Sequence, residues 1–205
     1  SAVLFSCGFI VNFVLGGITG VALAQVPFDV HVHDTYFVVA HFHYIVYGGS
    51  VFVIFASIYH WYPKIIGRML DEHLGRLHFL LTFVGFNLCF APQHWLGLNG
   101  MPRRVAEYDP QFELVNQISS AGALLMAIST LPFLWNVIAS AFYGAIAGDN
   151  PWRALTPEWL TSSPPPVENW KGDPPLVTHP YGYGTPADEI DLNSASGSDL
   201  WRSGQ

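Results

Sequence analysis

Four stretches of this chain run without a single charged side chain over the length that a hydrocarbon layer demands: Ser1 to Gln25, Tyr36 to Tyr62, Leu77 to Leu96 and Leu114 to Tyr143. Crossing a bilayer takes about 20 consecutive apolar residues. Such runs predict four transmembrane helices, about 1–25, 36–62, 77–96 and 114–143, within a membrane region 1–147. The composition agrees, since 51% of the residues are apolar and only 11% are charged, whereas a soluble domain carries about a quarter. Gly16, Gly17, Gly20, Gly48, Gly49, Pro92 and Pro132 fall inside the runs, where packed membrane helices tolerate them. The first run has no basic leader or small-residue cleavage site and reads as a span rather than a signal peptide.

Basic residues orient the spans. Lys64, Arg68 and Arg76 lie between the second and third runs, and Arg153, Lys171 and Arg202 lie in the tail, so both segments belong on the cytoplasmic or matrix side. The first connection, Val26 to Asp34, has no Lys or Arg and suits the opposite side. By alternation Gly97 to Glu113 is also outside, yet it carries Arg103 and Arg104. From Gly148 the composition turns to Pro, Gly, Ser and acidic residues, which predicts a tail, 148–205, lying extended along partner surfaces and disordered after Thr185 unless a partner holds it. Trp152, Trp159 and Trp170 are candidate anchors for it. Cys7 and Cys89 have no cysteine or histidine cluster around them and read as buried, inert thiols.

Within the second run, His41 and His43 stand two residues apart. On a helix that spacing turns through about 200°, so the two imidazoles leave opposite faces and cannot share one metal. If both are ligands, they serve two centres about 15 Å apart with Phe42 between them. A lone histidine in a span is explained by a hydrogen bond to a neighbouring helix. Two on opposite faces favour two metal centres, because neutral imidazole is a standard axial ligand of haem iron.

Arg103 and Arg104, on the side poor in basic residues, have the geometry to hold carboxylates such as haem propionates; ordinary interfacial arginines are the alternative. For His33 and Asp34, ahead of the second span, helix capping by Asp34 or Thr35 is the simpler reading. A histidine–carboxylate site for a divalent ion is the other. Asp29 and His31 add polarity to the same loop. His60, His73, His78, His94 and His179 carry no assigned chemistry. Phosphate-cradling glycines, a nucleophile elbow, paired carboxylates in a span and a basic patch for nucleic acid are all missing, which excludes hydrolases and nucleic-acid binders.

The stretch from His33 through Asp34, Thr35 and Tyr36 to His41, Phe42, His43 and Tyr44 is followed by Pro92, Gln93 and His94 and by Gly97 through Gly100, Met101, Pro102, Arg103 and Arg104. This pattern closely resembles subunit I of the haem-copper oxidases, in particular cytochrome c oxidase. The likeness runs from Ser1 to about Asn169 and covers the last four helices and tail of a twelve-helix bundle; the segment Asn150 to Pro166 is closer to bacterial than to mitochondrial versions. It implies an all-α membrane fold and a C-terminal fragment, or the smaller product of a split subunit.

Carried over, the resemblance implies that His41 is the proximal ligand of the high-spin haem, where oxygen is reduced, and that His43 is one axial ligand of the low-spin haem. Phe42 then lies between them, Arg103 and Arg104 hold propionates, Asp29 is a carboxylate near the high-spin propionates, and His33 and Asp34 ligate Mg or Mn shared with subunit II. The expected cofactors are two haems of the A type, with copper liganded outside this chain. Expected partners are the preceding eight helices of subunit I, subunits II and III, cytochrome c and membrane lipid, in a bacterial plasma or thylakoid membrane, or else a mitochondrial inner membrane. A quinol oxidase of the same superfamily and a non-redox structural subunit are the rivals.

Overall fold

The computed structural model describes residues 1–154, 156–170 and 172. They form two units: Ser1–His60 with Leu70–Phe142, and Trp61–Met69 with the residues from Tyr143 onward. The helices are α1 (Ala2–Leu23), α2 (Val26–Val32), α3 (Tyr36–Val46), a π-helical turn at Tyr47–Val51, α4 (Phe52–Ile66), α5 (Glu72–Leu98) and α6 (Glu113–Tyr143). Among the described residues, four stretches are long and apolar enough to cross a membrane: Ala2–Leu23, Tyr36–Ile66, Glu72–Leu98 and Pro110–Tyr143.

Local chemistry sets the ends of the helices, and several differ from the limits read off the charge pattern. α5 begins five residues earlier than the uncharged run because the Asp71 carboxylate accepts from Leu74 N at 2.8 Å and caps it. Glu72 and Arg76 then ride on its first turns. The second span runs past Pro63 to Ile66, since a proline near a helix end removes one hydrogen bond without stopping the last turn. Gly67 stops it: with φ +77 it takes the left-handed C-terminal position, and its N–H bonds Pro63 O at 2.8 Å. The connection Val26 to Asp34, expected as a loop, contains α2, favoured by proline at the start and Asp29 in the first turn.

In the first unit, aromatic rings and small residues pack the helices. Phe5 and Phe52 are fully buried, and Phe5 stacks on Tyr59 with centroids 5.7 Å apart. Close crossings rest on glycine. A Cβ on Gly97 of α5 would press into the backbone of Phe37 on α3, and one on Gly122 of α6 into the backbone of Gly85 and Cys89 on α5. Polar groups buried at these crossings are paired across helices: Thr82 Oγ1 donates to Ser129 Oγ at 2.9 Å, and Asn136 both accepts from Asp71 N at 2.9 Å and donates to Asp71 O at 2.8 Å. In an apolar medium such bonds contribute about 0.6 kcal/mol each. Cys89 is buried but Cys7 is exposed, because α1 turns that position away from its neighbours.

In the second unit, Lys64 is the organising side chain. It is only 5% exposed, and its ammonium donates to Thr161 O at 2.7 Å, Asp149 O at 2.9 Å and Ser162 O at 3.5 Å. It lies 5.0 Å from the ring centre of Trp159. Trp159 is buried and stacks on Trp61 at 5.4 Å. The first part of the Pro-rich segment is thus folded against residues 61–69 of its own chain; the expectation of disorder after Thr185 lies outside the described residues.

Candidate site on helix α3

α3 starts where Thr35 caps it: its hydroxyl accepts from Phe37 N at 3.2 Å. Of the two capping candidates, Thr35 therefore takes the role. Asp34 instead adopts φ +56, a left-handed conformation that aspartate tolerates. This turn, between α2 and α3, sends its carboxylate to Arg103. The Arg103 Nε–H donates to Asp34 Oδ1 at 2.8 Å, Nη2 pairs with the same oxygen, and Arg103 N bonds Asp34 O at 2.9 Å. Tyr36 N bonds Met101 O at 3.0 Å, so the loop after α5 is laid along the start of α3. On its other oxygen, Asp34 Oδ2 lies 3.0 Å from His33 Nε2. The hydrogen bond from Arg103, helped by the charges of Arg103, His33 and Arg104, holds the Asp34 carboxyl below its ordinary range.

One turn into α3 the two histidines diverge. His41 Nδ1 lies 3.1 Å from Gly16 O and 3.0 Å from Thr19 Oγ1, both on α1. A carbonyl oxygen can only accept, so Nδ1 carries the proton and Nε2 presents its lone pair. Gly20 completes this seat: a Cβ there would lie 2.9 Å from His41 Cε1. His43 behaves likewise on its own side. Its Nδ1 donates to Val39 O at 2.8 Å, again leaving Nε2 for a metal, while its ring stacks on Phe90 of α5 at 4.1 Å and 14°. Phe42 is exposed, with its ring 4.4 Å from that of His43.

Two imidazoles with fixed tautomers and separate supports fit two axial metal ligands, since ligating histidines commonly donate the other ring N–H to a carbonyl. Asp29 sits half-buried in the first turn of α2, and Arg104, with φ +63, is exposed beside Arg103. The structure therefore brings His33, Asp34 and Arg103 together, sets His41 and His43 on different neighbours, and leaves Arg104 outside the Asp34 pair. Among the described residues, no three His, Cys, Asp or Glu side chains gather into a metal-sized group. Sequence reasoning missed Gly16, Thr19 and Gly20 as the seat of His41; a threonine among glycines in an uncharged run was the available signal. It also missed the Arg103–Asp34 pair. His78, assigned no chemistry, is fully buried with its Nδ1 3.1 Å from Tyr59 Oη.

Among the described residues, four long apolar helices, one of them carrying two independently seated imidazoles, define a helical membrane protein. Residues 1–125 match the family described as Cytochrome C and Quinol oxidase polypeptide I, and the chain belongs to that family. Cytochrome c oxidase subunit 1 of Thermostichus vulcanus is 60% identical over 184 residues, covering 90% of this chain and 33% of that protein. The Synechocystis sp. protein of the same description is 56% identical over 191 residues, covering 93% and 35%. A Nocardia farcinica protein described as probable cytochrome c oxidase subunit 1-beta is 53% identical over 171 residues, covering 82% and 29%. The chain thus spans about a third of the length of the curated relatives it matches. A cryo-EM structure of a heme-copper terminal oxidase dimer aligns over 71% of this chain and 27% of its own, with a TM-score of 0.63 and 25% identity.

Proposed function

We propose that this chain is the C-terminal part of the catalytic subunit of a proton-pumping terminal oxidase. His43 is an axial ligand of a low-spin haem and His41 the proximal ligand of a high-spin haem. The observation that carries the reading is the pair of Nδ1 anchors: His41 is tied to Gly16 and Thr19 of α1, His43 to Val39 O, and each thereby directs Nε2 at its own centre. When bound, the haems supply one-electron transfer and an iron site where oxygen is reduced to water together with a copper liganded outside this chain. The protein's share is to fix ring orientation and proton position at both histidines, with Phe42 on the short path between them.

Arg103 and Arg104 neutralise haem propionates, with Asp29 nearby. His33 and Asp34, whose Nε2 and Oδ2 face each other at 3.0 Å, would hold a Mg or Mn ion together with water and subunit II. The other partners are the first eight helices of subunit I and subunit III, with cytochrome c as donor and haem A as the haem type. The likeness to the Thermostichus vulcanus and Synechocystis sp. proteins supports a bacterial plasma or thylakoid membrane.

A quinol donor is the second reading, supported by a family description that includes quinol oxidases; a dinuclear copper site in subunit II of the purified complex decides for cytochrome c. The ligand assignment is tested in the assembled complex. His43→Ala is expected to remove the low-spin absorption and keep a CO-binding high-spin centre, and His41→Ala the converse. Loss of both spectra from either variant in a complex that still assembles refutes it, and a parent complex without haem absorption establishes the non-redox structural reading instead.

A further inference from the structure

We propose that Thr19 is a positioning residue for His41, setting the orientation and electron-donating strength of its imidazole from α1. The inference rests on His41 being a haem-iron ligand and goes beyond it by assigning a role to a side chain on another helix. Three observations converge on this point. Thr19 Oγ1 lies 3.0 Å from His41 Nδ1. The same hydroxyl donates its own proton to Gly16 O at 2.9 Å, so the lone pair it turns to Nδ1 can only accept. Gly16 O, the second acceptor of the Nδ1–H, is 3.1 Å away. The Nδ1 proton is therefore shared between two oxygens 2.9 Å apart, from residues one turn apart on α1, and the hydroxyl links them in a closed triangle.

This arrangement does what a single carbonyl cannot. One acceptor fixes a direction and leaves the ring free to rock about it; two acceptors on either side of the N–H fix the ring plane as well. The absence of a Cβ at Gly20 lets the Cε1 edge settle against α1. Each acceptor also draws positive charge from Nδ1–H, making Nε2 a stronger donor to a metal, the general effect of partners behind a ligating histidine. Thr19 is partly buried within an uncharged run, where the hydroxyl meets little competition from water. An ordinary back-bonded threonine would need only the Gly16 bond; the second contact, to a ring 22 positions away, is what a local role leaves without a reason.

The test uses the assembled complex containing this chain. In Thr19→Val, which keeps the shape and removes the hydroxyl, the iron–histidine stretching band of the ferrous high-spin haem is expected to move to lower frequency and broaden. The midpoint potential of that haem is expected to move positive, because a weaker donor stabilises the ferric state less. Thr19→Ser is expected to restore both, and the low-spin absorption attributed to His43 reports that the bundle is intact. An unchanged band and midpoint in Thr19→Val with intact low-spin absorption overturns the proposal. Should Thr19→Val fail to assemble, Thr19→Ala is measured against the same criteria. An iron–histidine band that survives His41→Ala overturns the ligand assignment beneath the proposal, a result distinct from its own failure.

Discussion

Replacing Lys64 by Met tests whether one ammonium holds the start of the Pro-rich segment in place. The change keeps an unbranched, flexible stem beside Trp159 and removes the donor. Two bonds at 2.7 and 2.9 Å are lost, along with a longer third at 3.5 Å. Hydrogen bonds to charged groups contribute about 1.5–3 kcal/mol each. The low end applies, since Asp149 is exposed and its carbonyl can rehydrate, and the third bond is too long to count. The estimate is about 3 kcal/mol for local opening, or about 100-fold in the equilibrium. Trp159 N and Leu160 N, bonded to Thr156 O and Pro157 O, and Ser163 N, bonded to the Asp149 carboxylate, report that opening. Hydrogen exchange followed by mass spectrometry on the peptide covering residues 149–163 should accelerate about 100-fold in Lys64→Met. An acceleration under threefold would refute the reasoning and show that contacts other than the Lys64 ammonium hold this segment.

Two further perturbations bear on the site. Arg103 holds the Asp34 carboxyl below its unfolded value, so the stability from this pair is complete above that value and is lost as pH falls through the lower folded one. The infrared carboxylate signal that Asp34→Asn removes should accordingly still dominate at about pH 3.9, where an unperturbed aspartate is half protonated; half or more protonation of Asp34 at that pH would contradict this. Gly97→Ala places a Cβ against the backbone of Phe37, an overpacking that no rotamer change relieves. Its cost should be about 3 kcal/mol, seen as earlier thermal loss of haem absorption, and a melting curve matching the parent's would count against the crossing.

What the sequence made legible followed from interactions it writes locally. The absence of charge from Ser1 to Gln25 or Leu114 to Tyr143 is a property of consecutive residues, and hydrocarbon converts it directly into helix. The divergence of His41 and His43 needs only helical geometry, so their seating on separate partners could be read without a fold. The seat of His41 lies 22 to 25 positions away on α1, and Arg103 lies 69 positions from Asp34. No periodicity connects such pairs; the helix packing that brings them together decides them. The Trp61–Trp159 stack belongs to the same class. Asp34 looked like a cap because aspartate before a helix usually is one; Thr35 took that place once the guanidinium of Arg103 drew the carboxylate aside.

The π-helical turn at Tyr47–Val51 has a reason in the burial pattern of the helix that contains it. Phe37, Ala40, Tyr44, Gly48, Phe52, Ala56 and Tyr59 are the buried positions through α3 and α4 of the first unit. From Tyr44 to Ala56 they recur every fourth residue for three turns. An ideal helix advancing about 100° per residue would rotate the last of them about 120° off the starting face. A π turn accommodates about one extra residue, roughly 100° of this excess, and so keeps Phe52 and Ala56 on the side where Tyr44 faces α5. Deleting Gly49 should straighten the helix yet preserve that face, because eleven α-helical residues return to within about 20° of the start. Inserting one alanine after Gly49 should swing α4 by about 100° and expose Phe52. The expected outcome is a deletion variant that assembles with both haem absorptions and an insertion variant that does not. The reverse order of tolerance would show that the turn is there for some purpose other than holding register.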